Sequence, residues 1–316
     1  MKTAVLTSFL LGAQFALVSQ GQSADTSDPR LVVRDVVPST TDSRINQFSG
    51  DGWAHRVYRN SSVADKNLLV VFLPGTGGKG DNAKAFCRLA ADRGFHLVSL
   101  AYPSTISMSV FHKSTDPDAF LKARENIIYG KVPFGKLGVN EPNSIHNRLL
   151  KVVRHLAATH PKENWDQFLD RNGSLEWRKL VLSGGSQGGG HAALLGMQHE
   201  VARVLMFGSP KDYNIHFQEP ARWFSSPSAT PLNRFFSFVH SHDEGHGCTY
   251  PQQLENYRAM KLLPRYQVIN VDKAPAPFGH SRLLTSTRPQ ESPHTSVIKD
   301  TEYENVWTYL LGEAIE

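Results

Sequence analysis

The sequence predicts an α/β fold, a doubly wound and mainly parallel sheet of about eight strands with inserted segments, and three observations carry that expectation. Residues 68–73 (LLVVFL), 179–182 (KLVL), 203–207 (RVLMF) and 235–240 (FFSFVH) are short, nearly continuous apolar runs. Strands buried on both faces of a parallel sheet have that composition. Between the runs stand segments whose apolar residues recur at helical spacing. Strand and helix signals alternate regularly along the chain, which argues for parallel βαβ units.

At 316 residues, with 40% hydrophobic and 20% charged residues, the chain has a globular composition and is long enough to bury a sizeable core. One large domain is the simplest organisation. Lys2, the apolar run 4–18 and the small residues Ser19, Gly21, Ser23 and Ala24 have the three-part form of a secretory signal peptide. The reading is a signal over 1–24 and a mature domain over 25–316, exported to an extracellular or periplasmic space. The apolar run is short for a membrane span and no later stretch is longer, so no span is expected. The formal charge of +5 is scattered without a long Lys/Arg run, which argues for a solvated basic surface and against a nucleic-acid groove. Cys87 and Cys248 are the only cysteines. An oxidising compartment permits a bridge between them, and the sequence leaves open whether they pair or stay as buried thiols. Asn60-Ser61-Ser62 and Asn172-Gly173-Ser174 fit the glycosylation sequon, which matters in a eukaryotic host.

In chain order, residues 30–37 and 53–58 read as strands and 68–73 as a central strand ending at Pro74-Gly75-Thr76-Gly77-Gly78. Residues 81–93 have helical spacing, with Gly94 where a C-cap glycine stands, and 95–101 is the next strand. Residues 102–143 lose the pattern apart from a helix over 117–129. That stretch reads as a cap inserted over the sheet's carboxyl edge, its aromatic residues Phe111, Phe120, Tyr129 and Phe134 packing a small core of their own or lining a pocket. An amphipathic helix follows over 144–160. Residues 211–233, with Tyr213, Phe217, Trp223 and Phe224, form a second insertion. The remaining signals are strands at 235–240, 266–271 and 281–287, a helix at 250–263 and a terminal helix at 303–311.

The most informative stretch is 179–196, KLVLSGGSQGGGHAALLG. A buried strand runs into a glycine-dense turn and then into small residues suited to a tightly packed helix. Within the turn, Gly184-Gly185-Ser186-Gln187-Gly188 fits G-x-S-x-G, a pattern that holds a serine in a strained turn with its hydroxyl above the sheet. Side chains at 184 and 188 would collide where strand and helix fold back across the serine. The Gln187 backbone N–H stands in the first turn of the helix, where unpaired donors and the positive dipole end favour a developing oxyanion.

On this motif and the order of elements around it, the chain resembles the α/β-hydrolase superfamily, and the resemblance covers most of the mature chain. It implies a Ser, acid, His order with Ser186 as nucleophile. The acid follows the second strand after the nucleophile strand, which selects Asp243, with Glu244 and Asp272 as alternatives. The base precedes the terminal helix, which selects His294 in a Pro/Ser-rich loop, with His280 as the alternative. The loop after strand 68–73 supplies a second oxyanion donor, Thr76 or Gly77. The implied function is a secreted serine hydrolase of carboxylic esters, small or polymeric, that works through an acyl-enzyme and needs no cofactor. Two other readings stand beside it. One is a secreted binding protein that keeps the fold without catalysis. The other is a metal-dependent hydrolase built on HSHDEGHGC, which brings His240, His242, Asp243, Glu244, His246 and Cys248 together in sequence, although its spacing matches no zinc motif.

Overall fold

The computed structural model describes residues 30–312, so the expected signal segment 1–24 lies outside the described residues. In chain order come β1 (Leu31–Val36), α1 (Pro38–Thr41), β2 (His55–Asn60), β3 (Leu69–Leu73), α2 (Lys84–Asp92), β4 (His96–Ser99), α3 (Ala119–Tyr129), α4 (Ile145–Thr159), β5 (Leu180–Gly185), α5 (Gln187–Gln198), β6 (Arg203–Phe207), β7 (Tyr213–Asn214), β8 (Glu219–Pro220), β9 (Phe235–His240), α6 (Tyr250–Ala259), β10 (Val268–Asn270), β11 (Leu283–Ser286), α7 (Pro293–Lys299) and α8 (Glu304–Gly312). Nine strands form one sheet in the order β1-β2-β4-β3-β5-β6-β9-β11-β10, one more than the sequence led us to expect, and β7 with β8 makes a separate ribbon. Only β1 with β2 and β2 with β4 pair antiparallel; the other neighbours in the large sheet are parallel.

The continuous apolar runs are explained by helices on both faces. In β3 every residue is buried, with Leu69, Val71 and Leu73 in one core and Val70 and Phe72 in the other. The first core is closed by α3, α4, α5 and α6 through residues such as Ile127, Val152, Ala192 and Tyr257. The second is closed by α2, α7 and α8 through Phe86, Val297 and Trp307. The winding reverses at β3, which has β4 on one side and β5 on the other. A crevice therefore opens outside the carboxyl ends of β3 and β5, the place where such sheets bind ligands.

Two elements differ from expectation. Residues 293–299 form α7, where the sequence reads as a loop. This helix has only seven residues, three of them β-branched (Thr295, Val297 and Ile298), so it carries little propensity of its own. Val297 and Ile298 hold it against the sheet, and Pro293 suits its first turn. In the first insertion, Phe120 and Ile127 join the main core instead of a small core of their own, which makes α3 part of the helical layer. The two insertions are tied together: the His112 carbonyl accepts from Ile215 N–H at 2.7 Å and Asn214 Nδ2 donates to the Ser114 carbonyl at 3.0 Å.

Close approach of α5 to β3 depends on Gly188. A Cβ there would sit 1.9 Å from the Leu73 carbonyl oxygen, which belongs to a central strand and has nowhere to go. Gly188→Ala is therefore expected to cost about 1–3 kcal/mol in urea unfolding. A variant as stable as the parent would show that strand and helix are not in this contact.

Candidate active site

β5 ends at Gly185 and α5 begins at Gln187, so the chain reverses through one residue, Ser186. Its φ of 52° and ψ of −120° lie where residues with a Cβ rarely go. The surroundings enforce this. Ser186 N–H donates to the Phe207 carbonyl at the end of β6 at 2.7 Å, and the Ser186 carbonyl accepts from Gly190 N–H at 3.3 Å. Of residues 180–197, Ser186 alone is not buried. The strained turn thus presents one hydroxyl at the carboxyl edge of the sheet.

Two unpaired backbone donors flank it. Among the described residues, the N–H groups of Gln187 and Thr76 donate to no protein acceptor. Gln187 opens α5, where the helix dipole favours negative charge. Thr76 lies in the loop after β3, held down by its own Oγ1, which donates to Gln187 Oε1 at 2.8 Å, and by Tyr102 OH, which donates to the Pro74 carbonyl at 2.6 Å. Gly77, the alternative to Thr76, is corrected: its N–H donates to the Ser104 carbonyl at 3.0 Å and is not free for a ligand.

Asp243 and His294 meet although they lie far apart in sequence. Asp243 follows β9, and its side chain is fully buried, 0% exposed. His294 stands in the first turn of α7, and its Nδ1–H donates to Asp243 Oδ2 at 2.8 Å. The other carboxylate oxygen, Oδ1, accepts from the buried ammonium of Lys211 at 2.8 Å, and Gln253 Nε2 lies 3.4 Å from Oδ2. Burial alone would push the Asp243 carboxyl up. The bond from His294 and the charges of His294 and Lys211 outweigh it and hold the carboxyl below the usual carboxylate range. Ser186 and His294 line one cavity of about 210 Å³, together with His246, whose ring centroid is 4.2 Å from that of His294. Among the described residues no hydrogen bond joins Ser186 to His294, although both line this cavity.

The alternatives go elsewhere. His280 is exposed in a turn before β11. Because β11 is parallel to its neighbours, that turn lies at the opposite edge of the sheet from Ser186. Glu244 is exposed. Asp272 caps the turn after β11, its Oδ2 accepting from Ser286 Oγ, Thr287 N–H and Arg288 N–H at 2.8, 2.7 and 3.0 Å.

The run 240–248 fans out instead of converging on a metal. His240 Nε2–H donates to the Arg288 carbonyl at 2.7 Å, and its Nδ1 accepts from His242 N–H at 3.1 Å. Asp243 is taken by Lys211 and His294. Burial pushes the Cys248 thiol up to about 12, and its Sγ packs against Asn256 Nδ2 of α6. Among the described residues no three His, Cys, Asp or Glu side chains gather as a metal site. Cys87 and Cys248 are both buried and unbridged; Cys87 belongs to α2 on one side of the sheet, while Cys248 packs against Asn256 of α6 on the other. Asn60 of the first sequon is buried, and its Nδ2 donates to Asp92 Oδ1 at 2.8 Å.

Three participants escaped the sequence reading. Lys211 and Asp212 form a two-way clamp in the segment that follows β6, with three residues intervening after its end at Phe207. Lys211 binds Asp243, while Asp212 receives the Arg124 guanidinium at 2.5 Å through each of its oxygens. Arg124 in turn donates to the Gln187 carbonyl at 3.0 Å under the start of α5. Two adjacent charges at the carboxyl end of a parallel strand were the available signal. His246 was visible only as one member of a histidine-rich run.

The Lys211–Asp243 pair makes a sharp prediction. Asp243→Asn leaves a buried ammonium without its counter-charge, so a loss of about 3–5 kcal/mol is expected at pH 7 by chemical denaturation. The native carboxyl is held below its unfolded value, so this contribution is fully present above the ordinary carboxylate pKa and is lost as pH falls through the lowered native one. The parent and Asp243→Asn should therefore converge in stability only in strong acid. Equal stability at pH 7 would show that the pair is not formed.

No protein-family model matches the chain, and no curated protein sequence does. Among solved structures it is similar to a Klebsiella pneumoniae protein provisionally described as a dienelactone hydrolase, with a TM-score of 0.45 and 9% sequence identity, over 90% of this chain and 99% of that one. At that level of likeness neither the fold nor the chemistry of this chain rests on it.

Proposed function

We propose that the chain is a serine hydrolase that cleaves carboxylic esters. The observation that carries the reading is the 2.8 Å bond between Asp243 and His294 beside the strained, solvent-facing Ser186. In this reading Ser186 Oγ attacks the ester carbonyl carbon as His294 Nε2 takes its proton. Asp243 keeps the imidazole proton on Nδ1 and stabilises the imidazolium. The carbonyl oxygen becomes an oxyanion between the N–H groups of Thr76 and Gln187. Collapse expels the alcohol, protonated by His294, and leaves an acyl-Ser186. Water then attacks that acyl group, with its proton passing to His294, and Ser186 is released. No step asks for a cofactor. Lys2 and the apolar run 4–18 support export of the mature chain, which N-terminal sequencing of secreted protein would test by finding a start near residue 25.

A fluorophosphonate probe, followed by peptide mapping, tests the assignment. The adduct is expected on Ser186 and absent from Ser186→Ala. His294→Ala should lower esterase kcat by roughly 10⁴-fold or more, whereas His280→Ala should leave it unchanged. Folded protein that takes up no probe would overturn the nucleophile, and equal loss in the two histidine variants would overturn the choice of base.

A further inference from the structure

The space beside Ser186 has two unlike halves. The inner half is the cavity of about 210 Å³, lined on its apolar side by Phe72, Phe207 and Ile298 and on its polar side by Thr76, Asn82, His246, Thr295 and Lys299. It ends blindly. Behind Phe72 and Phe207 stands Phe86 of α2, with ring centroids 5.9 and 5.2 Å away, and Phe86 is backed by Trp307 of α8 at 6.1 Å. Phe86 and Trp307 are both fully buried, so this floor is a packed aromatic stack with no channel into the protein. A cavity of about 150 Å³ accommodates benzene, which sets the scale: one ring, or a chain of a few carbons.

The outer half is polar. Asn82, Ile298 and Lys299 also line a second, open groove of about 460 Å³ whose other walls include Asp81 and Lys84. Both halves meet at Ile298, which is 7% exposed and follows His294 by four residues, one turn along α7. The side chain that limits the apolar half therefore rides on the helix that carries the candidate base.

We infer that the site takes esters joining a compact apolar group to a larger polar one, and that Ile298 sets the size limit of the apolar group. This rests on Ser186 being the nucleophile. Long apolar chains are disfavoured because the aromatic floor cannot yield without disturbing two helices, whereas the polar partner lies along a groove open to water. Charge supports a polar partner: the groove carries Lys84 and Lys299 against Asp81, which already pairs with Lys84 at 3.5 Å.

The experiment measures kcat/KM for two ester series, one varying the acyl chain from two to twelve carbons on p-nitrophenol, the other varying the alcohol on acetate. The series in which the rate falls by roughly ten-fold or more between four and eight carbons identifies the group that enters the apolar half. In that series Ile298→Ala should move the optimum to longer chains, and Ile298→Phe should shorten it. Ile298→Val serves as a milder enlargement if Ile298→Ala folds poorly. Flat profiles in both series, or a length optimum that ignores all Ile298 substitutions, would overturn the inference while Ser186 still labels. Absence of labelling at Ser186 would instead remove the reading on which it rests.

Discussion

A single backbone conformation organises this molecule: Ser186 at positive φ, with β5 ending one residue before it and α5 beginning one residue after. An L-residue does not hold that conformation unaided. Here it is held from three directions, by the Phe207 carbonyl from β6, by α5 folding back over Gly188 onto β3, and by the loop of Thr76 packed against Gln187. Each restraint also places a part of the candidate site. The β6 contact brings in the segment that carries Lys211, the α5 contact aims the helix start at the hydroxyl, and the Thr76 contact supplies the second unpaired N–H. Strain at one residue and preorganisation of the site are the same feature.

The second organising feature is a shared carboxylate. Asp243 divides its oxygens between the imidazole of His294 and the ammonium of Lys211. With Arg124 paired to Asp212, the dipeptide Lys211-Asp212 holds Asp243 with one residue and, through Arg124, the start of α5 with the next. Both pairs are buried, and buried pairs add specificity of arrangement more than net stability. Their effect is to couple the two insertions to the site, since Arg124 comes from the first and Asp212 from the second.

What was legible in the sequence follows from what local chemistry determines. Strands β3, β5, β6 and β9 stand out because burial on both faces demands uninterrupted apolar residues, and the turn at Ser186 stands out because backbone contact demands glycine. Helix α7 did not stand out, since seven residues that include β-branched Thr295, Val297 and Ile298 become helical only by packing on the sheet. The choice between His280 and His294 depended on which edge of the sheet each faces, and β11 inserting between β9 and β10 decides that only in three dimensions. Lys211 and Asp243 are separated by 32 positions, and nothing in either residue's neighbourhood announces the other. The availability of Thr76 and the engagement of Gly77 were likewise beyond sequence, because the acceptor, the Ser104 carbonyl, comes from another loop.

The proposed chemistry requires a tetrahedral oxyanion to sit between the Thr76 and Gln187 N–H groups. A crystal structure of the protein inactivated by a phosphonate ester tests this directly. It is expected to show phosphorus bonded to Ser186 Oγ, one phosphonyl oxygen about 2.7–3.1 Å from both the Thr76 and Gln187 nitrogens, and His294 Nε2 within hydrogen-bond reach of Ser186 Oγ. An adduct on another residue, or a phosphonyl oxygen turned away from those two N–H groups, would contradict it.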